Sequence, residues 1–146
     1  MSARDEITDI IFTYAERIDA GDFAGVAELL RHATLTFEGY DSALTGPAAI
    51  EALYTSTTRR FDDGTPKTKH VMTNVIVEIS DDAVHASSKS YYTVLHAVPG
   101  EFALQPVIAG RYHDRFEFVD GSWRLTDMHV IIDLMGDLSS HLQQEF

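Results

Sequence analysis

The hydrophobic pattern of this chain changes its period at Pro66, and this change limits the possible folds more than any other feature. Before Pro66, apolar residues recur every three or four positions, which is typical of amphipathic helices. After Pro66, β-branched and aromatic residues dominate in runs separated by turn residues, which is typical of strands. Helices followed by a run of strands predict the α+β class, with the helices on one face of a mainly antiparallel sheet.

Turn and capping residues divide the two halves into elements. Gly21 is expected to stop the first helix, and Asp22 to cap the second. Pro47 suits the first turn of a third helix, and Asp120-Gly121 predicts a tight hairpin. The predicted helices cover residues 4–20, 23–31 and 48–60, and the predicted strands cover residues 35–40, 67–80, 83–98, 106–119 and 122–134.

The strand over residues 67–80 is the best candidate for the wall of a pocket. Because side chains alternate along a strand, its residues divide into two faces. One face carries His70, Met72, Asn74, Ile76 and Glu78. The other carries Val71, Thr73, Val75, Val77 and Ile79, and we expect it to belong to the core. A strand that packs one face and presents a histidine on the other could line a binding cavity.

Length and composition exclude several classes of protein. A chain of 146 residues predicts one domain over residues 1–146, with a polar tail over 137–146. A net charge of −12 argues against nucleic-acid binding. There is no apolar stretch of the roughly 20 residues that a membrane helix needs, and no apolar signal segment at the N-terminus. The chain has no cysteine, so disulfides are excluded, and we expect a cytoplasmic protein without membrane contact.

Four local motifs resemble those of a known family. They are Tyr14-Ala15-x-x-x-Asp19-x-x-Asp22, His70-Val71-x-x-Asn74, Ala109-Gly110-Arg111-Tyr112-x-Asp114 and Asp120-Gly121-x-Trp123-Arg124. In this order they resemble the SnoaL-like branch of the nuclear-transport-factor-2-like (NTF2-like) superfamily. The resemblance implies a cone-shaped, cystatin-like fold, in which N-terminal helices pack on a curved sheet and enclose a cavity.

The resemblance also implies candidate catalytic residues. Dehydratase and dehydrochlorinase members of the superfamily carry a helix-borne aspartate and a strand-borne histidine as a dyad, and Asp19 and His70 match these positions. Tyr14 matches a tyrosine that stands five residues before the aspartate in one dehydratase. The superfamily also contains isomerases, polyketide cyclases, oxygenase small subunits and members without known activity, so the fold alone does not define a function.

The chemistry of these residue types agrees with such a site. Elimination and double-bond isomerisation both need a base, and histidine is suited to this because its pKa lies near the working pH. A carboxylate beside it fixes the tautomer and stabilises the imidazolium. Asp19 would therefore orient His70, and Tyr14 could donate a proton or a hydrogen bond. No cofactor is needed, and the histidine spacings on single elements do not match a metal site.

Each candidate also has a purely structural interpretation. His70 could be a hydrogen-bonded histidine at the mouth of a strand, and Asp19 could face water at its helix end, although it would oppose the helix dipole there. Tyr14 could be a core residue on the apolar stripe from Ile7 to Ile18. At 100° per residue it lies about 140° around the helix from Asp19, so an undistorted helix does not direct both side chains to one point. His32, His85, His113 and His141 show no partner in the sequence and are expected on the surface.

Aromatic and apolar residues are expected to form the rest of the cavity wall and to favour a small, hydrophobic, ring-bearing ligand. Arg111 and Tyr112 point to opposite faces of their strand, so Tyr112 is assigned to the cavity and Arg111 to an ion pair. His96 could face the cavity or the solvent. The candidate substrate-binding residues are Phe37, Tyr40, Tyr54, Met72, Tyr92, His96 and Tyr112.

These observations lead to one functional hypothesis and two alternatives. The first is a cofactor-independent lyase of the dehydratase type, or an isomerase. The alternatives are a non-catalytic protein that binds a small molecule, and the small subunit of a ring-hydroxylating dioxygenase. A homo-oligomer, either a dimer or a trimer, is expected because the outer face of such a sheet would expose Val71, Val75 and Val77.

Overall fold

The structure, a computed structural model, describes residues 1–143 and contains three helices and six strands in that range. Each predicted helix and long strand is present, with ends that differ by up to four residues. The elements are α1 (Ala3–Asp19), α2 (Phe23–Leu29), β1 (Thr34–Phe37), β2 (Ala43–Thr45), α3 (Pro47–Thr57), β3 (Thr68–Ile79), β4 (His85–Val98), β5 (Phe102–Val119) and β6 (Ser122–Met135).

The six strands form one sheet in the order β2-β1-β6-β5-β4-β3. All neighbours are antiparallel except β1 and β6, which run parallel. The helices bury apolar residues against the inner face of this sheet, among them Ile7, Val26 and Ile50. This arrangement confirms the predicted α+β class. The sequence analysis missed β2, because three residues are too few to show an alternating pattern.

The ends of α1 and α2 agree with their sequence signals. Gly21 adopts a φ of 74°, a left-handed conformation that suits a residue directly after a helix. A Cβ atom at Gly21 would lie 2.0 Å from the backbone oxygen of Gly64, so only glycine fits this position. The Asp22 side chain then caps α2 by accepting a hydrogen bond from the backbone N–H of Gly25 at 2.9 Å.

The prediction of the two faces of β3 was wrong for its first half. The pairing of β3 with β4 shifts between Thr73 and Ile76, and Asn74 has a φ of 53°. This bulge adds a residue to the strand, so the side chains exchange faces there. His70 and Met72 therefore point inward, together with Val77 after the bulge. An alternating pattern in the sequence cannot reveal such a shift.

The same bulge changes which residues lie on the outer face of the sheet. Of the three valines expected there, Val71 is exposed, Val75 is partly buried and Val77 belongs to the core. Ile76 and Tyr91 also present large apolar side chains to solvent. Homo-oligomerisation through this face stays a prediction, and so does the assignment of residues 1–146 to one domain. None of the helices within residues 1–143 is long and apolar enough to cross a membrane.

The segment after β6 is not the solvated tail that its polar composition suggested. Its backbone pairs with the end of α3, where Thr58 and Leu142 form an isolated bridge and Gln143 donates its N–H to the Thr57 carbonyl at 2.8 Å. His141 is buried and Leu138 packs on the core. The rest of the predicted tail, residues 144–146, lies outside the described residues.

The bulge gives a direct test of the β3 geometry. Asn74 is exposed, so substitution there changes the backbone preference and little else. We expect Asn74→Val to lower the free energy of unfolding by about 1–2 kcal/mol, because a β-branched residue is strained at positive φ. Asn74→Gly is the matched control and should change it by less than about 0.5 kcal/mol. Urea denaturation measures both values, and equal stability of the two variants would contradict the bulge.

Candidate functional site

Asp19, the last residue of α1, joins that helix to the first residues of β3. One carboxylate oxygen, Oδ2, accepts the backbone N–H of His70 at 2.7 Å. The other, Oδ1, accepts the Thr68 hydroxyl at 2.9 Å and lies 2.7 Å from Nδ1 of the His70 ring. An aspartate at a helix C-terminus opposes the helix dipole, and these three hydrogen bonds offset that unfavourable placement.

The charge of Asp19 defines the tautomer of His70. Burial alone would raise the pKa of Asp19. The hydrogen bonds from His70, the charge of that ring and the hydrogen bond from the Thr68 hydroxyl act in the opposite direction, and the net effect is a pKa below the ordinary value. Asp19 is therefore ionised at neutral pH and can only accept hydrogen bonds. A neutral His70 ring must then donate from Nδ1, and its Nε2 carries the free lone pair. The two side chains are only 8% (His70) and 12% (Asp19) exposed.

His70 faces a cavity of about 120 Å³ between the helices and the inner face of the sheet. Tyr14 of α1 lines the same cavity, whereas Asp19 stands behind His70. The different directions of Tyr14 and Asp19 agree with their angular separation on the helix. Four of the predicted substrate-binding residues lie in the cavity wall: Phe37, Tyr54, Tyr92 and Tyr112.

Four tyrosines form a connected group in this wall. The hydroxyls of Tyr14 and Tyr54 share a hydrogen bond of 2.6 Å, and the Tyr14 ring meets that of Tyr112 edge to face at 5.5 Å. Tyr92 stacks on Tyr112 with a centroid distance of 4.3 Å and donates its hydroxyl to the Ile131 carbonyl at 3.0 Å. Burial, the largest cause, raises the pKa of Tyr54 to about 12 and that of Tyr14 well above its ordinary value. Both hydroxyls therefore keep their protons.

Glycine at position 110 makes room for the Tyr92 side chain. A Cβ atom at Gly110 would lie 2.7 Å from the Tyr92 hydroxyl oxygen and 2.0 Å from the Ile131 carbonyl oxygen. Any larger residue would displace the tyrosine from its hydrogen bond. Gly110 thus sets the shape of the cavity without contributing a side chain to it.

Three of the predicted substrate-binding residues lie away from this cavity. Tyr40 is 55% exposed in the turn after β1, because β1 ends at Phe37 rather than continuing to residue 40. Met72 lines a separate void of about 10 Å³ next to Tyr14 and Asp114. His96 is fully buried behind the wall, where its Nδ1 lies 2.9 Å from the Lys67 carbonyl oxygen and its ring packs on Phe102.

His141, which was expected on the surface, lies in the cavity wall. The ring is 5% exposed and lines the same cavity as His70. Burial, followed by repulsion from His70 and His96, lowers its pKa to about 4, although Asp19 acts in the opposite direction. The only sequence signal was a pair of leucines around it, Leu138 and Leu142, which also line the cavity.

Asp114 is a second buried acid, on β5 beneath the tyrosines. It is 5% exposed, and its Oδ1 atom has no hydrogen-bond partner among residues 1–143. Burial raises the pKa of Asp114 to about 8, so the carboxyl group is protonated at neutral pH. On β4, Ser88 is paired with Asp114 and Ser90 with Tyr112, and both serine hydroxyls also lack a partner in the described chain. This polar group lies next to the void that Tyr14 and Tyr112 line.

Arg111 and His85 each form an ionic contact outside the cavity. Arg111 makes a two-pronged ion pair with Asp133 at 2.8 and 3.0 Å, as the sequence analysis predicted. His85 does have a partner: its Nδ1 lies 2.7 Å from Asp82, although the two side chains are 59% and 49% exposed. No group of three or more histidine, aspartate or glutamate side chains within residues 1–143 is placed to hold a metal ion.

Comparison with solved structures identifies the architecture as the NTF2-like, cystatin-like fold. An NTF2-like protein with a cystatin-like fold from Novosphingobium aromaticivorans aligns with a TM-score of 0.71 at 20% identity, over 88% of this chain and 80% of that chain. A candidate scytalone dehydratase from the same organism aligns with a TM-score of 0.71 at 18% identity, over 92% and 86%. LinA aligns with a TM-score of 0.71 at 20% identity, over 94% and 90%.

The family follows from the sequence itself. The family model described as SnoaL-like domain matches residues 1–129, so the chain belongs to the SnoaL-like domain family. This confirms the resemblance that the four motifs indicated. None of the curated protein sequences compared with the chain matches it significantly. The matched range ends before His141, so the family model does not cover the C-terminal part of the cavity wall.

The buried state of His141 predicts a pH-dependent stability. Its native pKa of about 4 lies below the value of about 6.5 expected in the unfolded chain, so the unfolded state binds more protons between these values. Stability from His141 is therefore present above about pH 6.5 and is lost as the pH falls towards 4. When the pH is lowered from 7 to 5, we expect the free energy of unfolding of the wild type to fall by on the order of 1–2 kcal/mol more than that of His141→Phe. Urea denaturation at both pH values measures this difference, and a difference that does not change with pH would contradict the assignment.

Proposed function

We propose that this protein is a cofactor-independent enzyme, a lyase of the dehydratase type or an isomerase, which removes a proton from a small hydrophobic, ring-bearing molecule. The observation that carries this proposal is the Asp19–His70 pair at the edge of the cavity, with 2.7 Å between Oδ1 and Nδ1. Similarity to the solved structures supports the fold alone, so the argument for the activity rests on this pair.

His70 is the proposed base. Its Nε2 lone pair takes a proton from a carbon of the ligand, and the electrons of that C–H bond form a new double bond. In a dehydration, the neighbouring C–O bond breaks and the oxygen leaves as water by taking the proton that His70 has accepted, which returns the ring to its neutral form. In an isomerisation, the proton returns to a different carbon. Asp19 holds the ring through Nδ1 and stabilises the imidazolium that forms in either case.

Tyr14 is proposed as a hydrogen-bond donor to an oxygen atom of the ligand. The Tyr14–Tyr54 pair contains two hydroxyl protons, and the hydrogen bond between them uses only one. The raised pKa of Tyr14 favours hydrogen bonding over complete proton transfer from its hydroxyl. Such a donor would stabilise negative charge on a carbonyl or hydroxyl oxygen of the ligand as His70 removes the proton.

The composition of the wall supports a hydrophobic ligand. Beside the tyrosines it contains aliphatic side chains from α1, α3, β4 and β5, such as Ile18, Leu53, Val94 and Ile108. Arg59 and Arg60 follow α3 but are not part of the wall, and no lysine or arginine within residues 1–143 lines it. A neutral ring fits this surface better than a phosphate or a carboxylate does.

The base can be tested without knowledge of the natural substrate. The probe is 5-nitrobenzisoxazole, a small aromatic molecule that opens to the coloured 2-cyano-4-nitrophenolate when a base removes its ring proton. We expect the wild-type protein to accelerate this elimination and His70→Gln to lower the rate by about 100-fold, because general-base catalysis contributes that much. Asp19→Asn should lower it by about tenfold, since an amide can favour the wrong tautomer of His70.

The matched control is His85→Gln, which removes the exposed histidine–aspartate pair of the same 2.7 Å distance and should leave the rate unchanged. Circular dichroism and thermal melting establish that each variant is folded. A His70→Gln rate equal to that of the wild type would contradict the proposed base. In that case, the cavity would belong to a protein that binds a molecule without converting it. A large subunit that copurifies with the chain would instead favour the oxygenase alternative.

A further inference from the structure

The C-terminal segment, residues 136–143, forms part of the cavity wall that the family model does not cover. Three backbone hydrogen bonds fix it in place. Gly136 donates to the Val107 carbonyl at 2.7 Å, Arg59 donates to the His141 carbonyl at 2.9 Å, and Gln143 donates to the Thr57 carbonyl at 2.8 Å. The Gln143 side chain adds bonds to the carbonyls of Thr55 and Thr58. The position of the His141 ring is therefore set by the fold.

The His141 ring carries hydrogen-bonding capacity that the protein does not use. It lines the cavity, and its Nδ1 atom is buried without a partner among residues 1–143. A buried polar atom without a partner destabilises a protein by about 1–3 kcal/mol. The ring of His96 lies at a centroid distance of 5.6 Å, and its Nε2 atom is also unpartnered within the described chain. Such atoms often form their hydrogen bonds with a ligand or another bound molecule.

Several other polar side chains in the wall already have partners. The Tyr92 hydroxyl is bonded to Ile131, the Thr57 hydroxyl to Leu53, and Tyr14 is bonded to Tyr54. Among the described residues of the wall, the rings of His70 and His141 add nitrogen atoms that can bind a ligand, beside the second hydroxyl proton of the Tyr14–Tyr54 pair. The low pKa of His141 keeps its ring neutral at physiological pH, so it offers one donor and one acceptor and no charge.

We propose that His141 determines ligand specificity by forming a hydrogen bond to a hydroxyl group of a ring-bearing, otherwise apolar molecule bound in the cavity. This inference rests on the proposed function in one respect only, namely that the cavity binds such a molecule. A neutral imidazole suits a hydroxyl, because the ring and the hydroxyl each have both a donor and an acceptor. The preferred ligand is therefore a phenol-like or alcohol-bearing ring rather than the bare hydrocarbon.

Two probes that differ by a single hydroxyl group test this inference. The Kd values of 2-naphthol and naphthalene are measured by equilibrium dialysis with the wild type and two variants. His141→Phe keeps a planar ring without nitrogen, and His141→Gln restores a neutral donor and acceptor. We expect His141→Phe to weaken 2-naphthol binding about 5- to 10-fold, as for one lost hydrogen bond, and to change naphthalene binding less than about twofold. His141→Gln should recover part of the 2-naphthol affinity.

If His141→Phe weakens the binding of both probes equally, or leaves the Kd of 2-naphthol unchanged, His141 is only a wall residue and the inference is overturned. Failure of the wild type to bind either probe would overturn it as well. A second measurement does not depend on the folding of the variants: 2-naphthol should shift the nitrogen-15 resonances of the wild-type His141 ring further than naphthalene does, because only 2-naphthol has a hydroxyl that can form the hydrogen bond. These experiments measure binding alone, so their outcome is separate from that of the elimination assay on His70.

Discussion

The carboxylate of Asp19 is the interaction on which the rest of the site depends. Asp19 is the last residue of α1, and its carboxylate accepts hydrogen bonds from the backbone and the ring of His70 and from Thr68. These bonds hold the first residues of β3 against the helix. Gly21 allows the chain to leave α1 directly after it, because only glycine fits against Gly64. The position of the imidazole at the cavity edge is therefore a consequence of how the first helix ends.

The Asp19–His70 pair differs from the His85–Asp82 pair in its burial rather than in its hydrogen bond. His85 and Asp82 have the same 2.7 Å distance, but both side chains are about half exposed and water can compete for every contact. At the Asp19–His70 pair, protein atoms replace most of that water, and the cavity offers an apolar space beside the free nitrogen. The two pairs thus share the same local geometry, but only the Asp19–His70 pair lies beside a cavity in which a ligand could react. The tyrosine hydroxyls and the neutral His141 ring add polarity to this wall without adding charge.

The parts that sequence patterns predicted were those with strong local signals. The period change at Pro66, the cap at Asp22 and the glycine turns indicated the helices, the long strands and their order, and the motifs around Asp19 and His70 indicated the pair and the family. The missed parts depend on contacts distant in sequence. The bulge at Asn74 reverses the faces of β3, and the tail folds back because Thr57 and Arg59 offer backbone partners for it. Neither effect leaves a periodic pattern, so the burial of His141 and the placement of Val71 and Val77 on opposite faces could not be predicted from the sequence.

The most direct test of this account is the tautomer of His70, which determines whether the ring can act as a base. Nitrogen-15 NMR of the histidine-labelled protein, at a pH where the His70 ring is neutral, distinguishes the protonated ring nitrogen from the bare one. The account predicts that Nδ1 carries the proton and that Nε2 is unprotonated, and that Asp19→Asn disturbs this distribution. A His70 ring protonated at Nε2 would contradict it, because an ionised Asp19 cannot donate to Nδ1 and the lone pair facing the cavity would be absent.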